Sequence, residues 1–266
     1  MEEIDDLVNA VRQSVHYRAV CPDLIAQVGT VELARRRSFK EAVKATKTKL
    51  HQAAGSYLDT NLRYSAWLDR LRRARSAGGE DGYRSACREI MRHQSSTRER
   101  LPILSDFYTQ ALASIPPVRT VLDVACGLNP LAIPWMPIEP GTEYRAYDVY
   151  EDLIAFLAEA LPLSGVVAHA SCEDVTRLGP TGPVDLALIL KAVPCLDQLD
   201  RSSASHLLDV VDARHFLISF PVRSLGGREK GMMATYEARM ERLLADRSWH
   251  VRRFEFATEL AFLVSR

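Results

Sequence analysis

The chain has 266 residues, 47% hydrophobic and 26% charged, with a formal net charge of zero. This length suits one large domain or two smaller ones, and a neutral total means that any nucleic-acid surface must come from local clusters of basic residues. Five scattered cysteines without metal-ligand spacing argue for reduced thiols and against a disulfide framework or a zinc site. The sequence shows neither a signal peptide nor an apolar run long enough for a membrane span. With reduced thiols we expect a cytoplasmic protein, and we take it as a monomer by default.

Apolar residues at helical spacing predict helices over residues 1 to about 76. The third of these helical segments, residues 35–50, has an apolar stripe made of Phe39, Val43, Thr46 and Leu50. The same segment carries basic residues and a single acid, and the basic residues are Arg35, Arg36, Arg37, Lys40, Lys44, Lys47 and Lys49. A stabilising surface helix usually mixes both signs of charge. The cluster therefore leaves two interpretations open, a solvated helix face or a surface that contacts nucleic-acid phosphates.

A glycine-rich stretch at residues 76–82 is the best candidate for a linker between domains. We therefore predict a helical domain over residues 1–78 and a second domain over residues 79–266. The helical pattern resumes from Tyr83 to about Ala113 and is interrupted near residues 93–96.

From residue 119 onward the pattern alternates between strands and helices. The expected strands are residues 119–124, 142–147, 166–169, 184–190, 214–220, 249–256 and 259–265. The last two are separated by too few residues for a crossover, so they must form an antiparallel hairpin. Five parallel strands with a carboxyl-terminal hairpin are typical of the methyltransferase variant of the doubly wound α/β fold. The sequence thus predicts a Rossmann-like domain that binds S-adenosylmethionine, preceded by an all-helical domain.

The stretch TVLDVACGLNP at 120–130 predicts a strand that ends at a ligand site. Gly127 allows close approach of a ligand to the backbone, Asp148 follows the second strand, and Asp174 follows the third. A dinucleotide site would need three glycines to hold a pyrophosphate, and this stretch offers one. A nucleoside without phosphate, such as S-adenosylmethionine, fits better. Asp148 would accept hydrogen bonds from the ribose hydroxyls and Asp174 from the adenine amino group, with Glu173 as the alternative to Asp174.

Several blocks of sequence resemble the aminoglycoside-resistance 16S rRNA (guanine-N7) methyltransferases. They are KTKLHQAAGSYL at 47–58, STRERL at 96–101, DVACGLNPLA at 123–132, LKAVPCLD at 190–197 and SFPVRSLGGREKGM at 219–232. The resemblance covers nearly the whole chain. It implies a helical domain that docks on ribosomal RNA, and methylation of one guanine in the decoding site of the 30S subunit, which blocks aminoglycoside binding.

The resemblance also implies roles for individual residues. Gly127, Asp148 and Asp174 correspond to residues that contact S-adenosylmethionine, which leaves as S-adenosylhomocysteine, and Arg100 corresponds to an arginine that holds the methionine carboxylate. His51 and Tyr57 border the cofactor or the substrate. The catalytic mouth is predicted to hold the basic residues Lys191, Arg223 and Arg228, and rRNA contacts are predicted for Lys230 together with the basic residues of segment 35–50.

Guanine N7 carries a free lone pair, so the reaction needs alignment of the reactants and no general base. Trp135 and Tyr150 are candidates to stack on a displaced purine. Three alternatives stay open: methylation of a small molecule, methylation of another rRNA atom, and a non-catalytic RNA-binding factor that keeps the fold. The basic helical segment argues against a small-molecule substrate.

Overall fold

One mixed sheet of seven strands organises the chain, in a computed structural model that describes residues 2–52, 62–179, 181–222 and 231–266. Within those residues the strands are β1 (Thr120–Val124), β2 (Glu143–Asp148), β3 (Val167–Cys172), β4 (Val184–Leu190), β5 (Ala213–Pro221), β6 (His250–Glu255) and β7 (Glu259–Ser265). Their order across the sheet is β3-β2-β1-β4-β5-β7-β6. Strands β1 to β5 are parallel, and β7 is antiparallel to both β5 and β6. The predicted fold class is confirmed.

Helices precede the sheet and alternate with its strands. They are α1 (Glu2–Arg12), α2 (Pro22–Arg35), α3 (Phe39–Leu50), α4 (Tyr64–Ala77), α5 (Gly79–Met91), α6 (Ser95–Arg100), α7 (Leu104–Leu112), α8 (Glu151–Ala160), α9 (Val193–Leu199), α10 (Ser203–Val210) and α11 (Met232–Leu244). Short 3₁₀ turns occupy Leu101–Ile103, Asn129–Trp135, Leu161–Ser164 and Val175–Arg177. All five cysteines lie in the described residues and none of them is bridged.

Local sequence signals explain where several of these elements begin. Pro22 starts α2, where its missing N–H costs nothing because the first-turn amides have no partner within a helix. The side chain of Ser38 caps α3 by accepting a hydrogen bond from the backbone N–H of Glu41 at 3.4 Å. β4 has apolar side chains on both faces and therefore lies at the centre of the sheet, between β1 and β5.

The two faces of the sheet bury separate hydrophobic cores. Alternate residues of one strand point to opposite faces, so Val121 joins one core and Leu122 the other. Helices α4, α5, α7 and α8 cover the first face, whereas α9, α10 and α11 cover the second. This three-layer arrangement leaves the ends of the parallel strands as the place where loops meet.

A third, smaller core joins α1, α2 and α3. Its buried residues are Leu7, Val11, Val20, Leu24, Ile25, Ala42 and Leu50. Helix α4 does not belong to this core, because its Trp67 and Leu71 pack with α5 and α8 against the sheet. The packing therefore groups α4 with α5 and the sheet, and the domain boundary at residue 78 stays a prediction. The predicted linker at 76–82 is only the tight turn that joins α4 to α5.

Candidate functional site

A cavity with about 780 Å³ of empty space, its open mouth included, lies at the carboxyl edge of the parallel strands. The sheet reverses its direction of growth between β1 and β4, and ligands of doubly wound folds bind at that point. Residues that follow four adjacent strands line the cavity: Ala125 after β1, Asp148 at the end of β2, Asp174 after β3, and Lys191 after β4. The predicted edge of the sheet is therefore the place where these residues enclose a cavity.

The backbone is strained at the ends of the two central strands. Within the described part of the chain, Ala125 and Lys191 are the two residues other than glycine with a positive φ, 52° and 57°. A side chain in this left-handed region costs about 1–2 kcal/mol. Such strain persists where the surroundings hold it in place, and it clusters at functional sites. Both strained residues line the cavity.

Gly127 has a close neighbour within the protein itself. Its φ is 52°, and a Cβ at this position would clash with Nε2 and Oε1 of Gln94. The Gln94 side chain also accepts a hydrogen bond from the backbone N–H of Leu128 at 2.6 Å. The close neighbour of Gly127 is thus a side chain of the protein, and Gly127 is not among the residues that line the cavity. Gln94 lines the cavity at this point.

Asp148 joins the β1 loop to the floor of the cavity. Its Oδ2 accepts a hydrogen bond from the backbone N–H of Gly127 at 2.8 Å, and its Oδ1 accepts one from Val149 at 2.7 Å. Burial raises the pKa of Asp148, although these backbone hydrogen bonds oppose the rise. Each carboxylate oxygen keeps a second lone pair, so the side chain can still accept hydrogen bonds from a ligand.

Asp174, not Glu173, lines the cavity. Its Oδ1 accepts hydrogen bonds from the backbone N–H and the hydroxyl of Thr176, at 3.0 and 2.6 Å. Its Oδ2 is buried and has no hydrogen-bond partner among the described residues. The acid of Glu173 is instead held by the hydroxyl of Ser171 at 2.7 Å. A buried carboxylate oxygen without a donor among the described residues can accept a hydrogen bond from a ligand N–H or O–H.

Lys191 is held inside the wall of the cavity, and its side chain is only 4% exposed. The Nζ atom donates to the backbone oxygen of Ser96 at 3.2 Å and to Glu99 Oε2 at 2.8 Å. It lies 3.4 Å from Glu259 Oε2. Lys191 therefore lies at the cavity, as predicted, with its ammonium group enclosed by protein groups, and its role there stays a prediction.

Arg100 is also buried, with 1% of its surface exposed, and it does not line the cavity. Its Nε and Nη2 donate to Glu259, Nη2 at 2.7 Å, and its Nη1 donates to Asn129 Oδ1 at 2.7 Å. Burial alone would raise the pKa of Glu259, but the charges of Arg100 and Lys191 outweigh it and hold that pKa below its usual value. The predicted contact between Arg100 and a methionine carboxylate stays a prediction that this arrangement does not support, because Arg100 is committed to Glu259.

Residues 13–263 match the model of a protein family described as "Ribosomal RNA methyltransferase (FmrO)". The chain belongs to the FmrO family of ribosomal RNA methyltransferases. It is 36% identical to the 16S rRNA (guanine(1405)-N(7))-methyltransferase of Micromonospora echinospora, over 100% of this chain and 97% of that protein. It is 33% identical to the enzyme of the same name from Serratia marcescens, over 99% of this chain and 98% of that protein. The predicted family resemblance is confirmed.

Solved structures of similar proteins share the whole fold of this FmrO-family chain. The 16S rRNA methyltransferase RmtF, crystallised in complex with S-adenosyl-L-homocysteine, is 30% identical with a TM-score of 0.82, over 100% of this chain and 99% of that one. The 16S rRNA methylase RmtB is 27% identical with a TM-score of 0.77, over 99% of this chain and 98% of that one. The likeness includes α1–α3 as well as the sheet.

Basic residues of α3 form one stripe on the surface of this family member. Lys40, Lys44, Lys47 and His51 follow each other at three- and four-residue spacing and line a single shallow depression with Tyr17. His51 was predicted to border the cofactor or the substrate. It is exposed and belongs to this basic stripe, and it is not among the residues that line the cavity.

The arginines between α2 and α3 are exposed as well. Arg35, Arg36 and Arg37 all face solvent, but Arg36 also pairs with Glu32 at 2.7 Å, and Glu32 is only 2% exposed. Four other predicted site residues, Tyr57, Arg223, Arg228 and Lys230, lie outside the described residues.

Of the two aromatic candidates for stacking, only Tyr150 lines the cavity. Trp135 is held by Arg84 and Arg88, whose guanidinium groups lie 5.7 and 5.9 Å from its ring centre. Trp135 is therefore a packing residue.

Sequence reasoning missed two groups in this site. Leu24 of α2 lines the cavity although it lies about a hundred positions before β1, and no local signal points to it. Gln94 and Ser96 lie at or beside the STRERL block, so that block was a signal for them.

Residues 2–52, 62–179, 181–222 and 231–266 contain no group of three acidic, histidine or cysteine side chains placed to hold a metal ion. In the same residues no helix is both long and apolar enough to cross a bilayer.

Proposed function

We propose that this protein transfers a methyl group from S-adenosylmethionine to N7 of a guanine in 16S rRNA, at the position that the names of its relatives number 1405. Membership of the family confirms the predicted enzyme class and cofactor. The observation that carries the assignment to this cavity is the pair of carboxylates, Asp148 and Asp174, at the ends of consecutive strands in one pocket. The alternative of a small-molecule methyltransferase is set aside, since the relatives of full length are named for 16S rRNA.

The cavity fits a nucleoside without phosphate. A phosphate site needs free backbone N–H groups at the glycine loop, but here Gly127 donates to Asp148 and Leu128 donates to Gln94. Asp148 would accept hydrogen bonds from the ribose hydroxyls with its remaining lone pairs. Asp174 Oδ2, which lacks a donor in the described residues, would accept one from the adenine amino group.

The chain's own residues bind and orient the reactants. When bound, S-adenosylmethionine supplies a methyl carbon activated by the adjacent sulfonium. Guanine N7 brings its own lone pair, so no side chain has to remove a proton and alignment supplies most of the catalysis. Apolar residues of the cavity, Leu153, Leu190 and Leu196 among them, exclude water from the cofactor. Tyr150 offers a ring at the cavity on which a displaced guanine can stack.

The basic stripe of α3 supports docking on the 30S subunit. Its exposed ammonium groups match a phosphate surface, and α1–α3 hold them on a core of their own. On this proposal the enzyme acts as a monomer in the cytoplasm, where ribosomes are, and the methyl group in the decoding site lowers aminoglycoside binding. Arg223, Arg228 and Lys230 remain proposed contacts to the target region.

The decisive experiment maps the methylated nucleotide. Purified protein is incubated with labelled S-adenosylmethionine and either 30S subunits or free 16S rRNA, and N7-methylguanine is located by chain cleavage at the modified base. We expect one cleavage site in 30S subunits, at the guanine named above, and little in free rRNA.

Asp148→Asn should lose this activity, while Asp152→Asn, four residues along in α8, should retain it. Methylation at another position would support the alternative of a different rRNA target. No methylation by a chain that still binds 30S subunits would support a non-catalytic factor. Equal methylation of free rRNA would contradict docking on the assembled subunit.

A further inference from the structure

We propose that Cys21 and Cys172 form an oxidisable pair of thiols, in which Cys21 reacts with hydrogen peroxide and Cys172 then closes a disulfide bond. The bond would join the helical part of the chain to the sheet, beside the cavity. Neither cysteine lines the cavity, and the proposed methyl transfer uses neither thiol. The inference therefore goes beyond the proposed function and does not depend on it.

Main-chain pairing brings the two cysteines to the same place in the fold. The backbone N–H of Cys21 donates to the oxygen of Val149 at 2.7 Å, directly after β2. Cys172 is the last residue of β3 and pairs in register with Asp148, the last residue of β2. Both cysteines therefore lie beside the end of β2, and their thiols are hydrogen bonded to each other. A disulfide bond needs two sulfur atoms that already face each other, and this arrangement supplies them.

The start of α2 favours the thiolate form of Cys21, which is the residue immediately before that helix. The hydrogen bond from Cys172 has the largest effect and lowers the pKa of Cys21, although burial opposes it. The backbone N–H groups of Leu24 and Asp23, in the first turn of α2, lower this pKa further. The same contact between the thiols raises the pKa of Cys172, which keeps its proton as the donor. Cys21 is thus the nucleophile and Cys172 the thiol that resolves the first product.

The remaining cysteines have different surroundings. Burial raises the pKa of Cys87 to about 12 and also raises that of Cys126, so both stay protonated thiols. The thiol of Cys195 donates to the backbone oxygen of Lys191 at 3.5 Å. Since the thiolate is the form that reacts with peroxide, an oxidant at low dose should select Cys21 among the five.

A small oxidant can reach the pair from the edge of the sheet. β3 is an edge strand and Cys172 is half-buried, whereas Cys21 is 5% exposed. Access of this kind suits hydrogen peroxide better than a bulky disulfide.

The reaction balances with hydrogen peroxide as the oxidant. The Cys21 thiolate attacks one peroxide oxygen, so that an S–O bond forms, the O–O bond breaks, and the hydroxide that leaves takes up a proton to become water. The Cys172 sulfur then attacks the Cys21 sulfur, so that an S–S bond forms and the S–O bond breaks with loss of a second water. Together the two thiols lose two electrons and two protons, and the peroxide is reduced to water.

The disulfide would hold the junction between the two parts of the chain. Residues 19–21 pair with residues 149–151 at this junction, where Glu151 donates its N–H to the oxygen of Ala19 at 2.7 Å. A bond between positions so far apart in the sequence removes much of the freedom that the opened junction would gain. The oxidised chain should therefore keep the junction closed.

Peptide mapping by mass spectrometry tests the pair in the full-length protein. Reduced protein is treated with hydrogen peroxide at low protein concentration, its remaining thiols are blocked, and it is digested without reductant. We expect a peptide linked through Cys21 and Cys172 that a reductant separates. Cys172→Ser should stop at a sulfenic acid on Cys21, which dimedone captures. Cys21→Ser should leave Cys172 unmodified at the same dose, and it should fold because serine is a preferred residue before a helix.

Hydrogen exchange measures the consequence without cofactor or rRNA. The Glu151 amide should exchange roughly ten-fold more slowly in the oxidised wild type than in the reduced one, and Cys172→Ser should show no such difference. Cys195→Ser is the matched control, because it removes another half-buried thiol and should still give the linked peptide.

Four results would overturn the inference. They are a wild type without the linked peptide, a link from Cys21 to a different cysteine, a sulfenic acid that forms on Cys172 in Cys21→Ser, and unchanged exchange of Glu151 once the link has formed.

Discussion

The contact between Gly127 and Gln94 decides the shape of the β1 loop. Gln94 comes just before α6, and its amide fills the space above Gly127 while accepting the N–H of Leu128. Gly127 in turn donates its N–H to Asp148. A change at Gly127 therefore reaches the carboxylate on which the ribose contact depends, although Gly127 itself does not line the cavity.

Gly127→Ala should destabilise the protein by about 2–4 kcal/mol, because the new methyl group meets Gln94 and the left-handed backbone is strained. Urea unfolding measures this change, and calorimetry should show weaker binding of S-adenosylhomocysteine. Gly79→Ala is the matched control, since Gly79 has a φ of 59° and nothing within 4 Å of the added Cβ. The loss in free energy of unfolding of Gly79→Ala should reflect the strained backbone alone. Gln94→Ala combined with Gly127→Ala should recover part of the loss, and strict additivity of the two changes would contradict the proposed clash.

Asp123, inside β1, is buried behind the cavity among polar side chains. Its Oδ2 accepts hydrogen bonds from Asn129 at 2.8 Å and from Tyr144 at 2.7 Å, and its Oδ1 has no partner among the described residues. Burial raises the pKa of Asp123 to about 7, although the two hydrogen bonds oppose the rise. The carboxyl group therefore takes up its proton at a higher pH than an exposed aspartate does.

Asp123→Asn should change how stability depends on pH. A folded-state pKa of about 7, above the ordinary 3.8, means that the folded protein holds a proton that the unfolded chain releases. This stabilising contribution is complete below about pH 4 and is lost as the pH rises through 7. The free energy of unfolding of Asp123→Asn minus that of the wild type should thus increase by roughly 2–4 kcal/mol from pH 4 to pH 8. Urea titrations across this range measure it, and a constant difference would contradict the raised pKa.

At the scale of elements, the basic stripe of α3 is the feature that an rRNA substrate explains best. Lys40 and Lys44 are exposed and lie one turn apart, whereas Arg36 is tied to the nearly buried Glu32. Removing Arg36 would leave Glu32 without its partner and confuse binding with stability. The lysines are therefore the cleaner test of docking.

Lys40→Gln with Lys44→Gln should weaken binding to 30S subunits and reduce the slope of log affinity against log salt concentration by about 1.5. Affinity for S-adenosylhomocysteine should stay unchanged, because neither lysine lines the cavity. Glu41→Gln removes the single acid of the same helix and should act in the opposite direction. Filter binding between low and moderate salt measures these effects. An unchanged slope in the lysine variant would support the alternative interpretation, in which α3 presents an ordinary solvated face.

The order and type of the elements could be predicted because their signals are local. Apolar runs such as residues 184–190 and the short hairpin at the carboxyl terminus determine the sheet, and all seven strands lie close to their predicted positions. Periodicity was less reliable for α3. Thr46 and Leu50 of the predicted stripe are buried, but Phe39 is 38% exposed, and Ala42 completes the buried face. A segment with small and polar core residues gives a weak apolar pattern.

The candidate site could be predicted only where its residues follow strands. Asp148 and Asp174 follow β2 and β3, so strand periodicity brings them into one cavity. The partner of Arg100 could not be predicted, because Glu259 lies 159 residues further along and meets it only through the antiparallel placement of β7 beside β5. The packing of α4 against the sheet could not be predicted for a similar reason, since glycines mark a turn and do not reveal which core the preceding helix joins.

Across the whole molecule, the cavity and the helical part of the chain share one junction. Residues 19–21 run antiparallel to residues 149–151, directly after Asp148: Cys21 donates its N–H to the oxygen of Val149, and Glu151 donates to Ala19, both at 2.7 Å. Val149 and Tyr150 line the cavity from one side, and Leu24 of α2 lines it from the other. A ligand in the cavity therefore touches both parts, and its binding free energy stabilises the junction.

Hydrogen exchange of the full-length chain should reveal this coupling. With S-adenosylhomocysteine at a hundred times its Kd, opening of the junction has to release the ligand, so exchange of the Cys21 and Glu151 amides should slow by up to about a hundred-fold. A peptide from α3 should change little, because α3 does not line the cavity and opens without releasing the ligand. If docking on the 30S subunit also favours the paired state of residues 19–21 and 149–151, the ligand and the subunit should raise each other's affinity for the enzyme by equal factors. If the exchange rate at the junction is the same with and without the ligand, the two parts act independently. The helical domain would then serve only to bring the enzyme to its substrate.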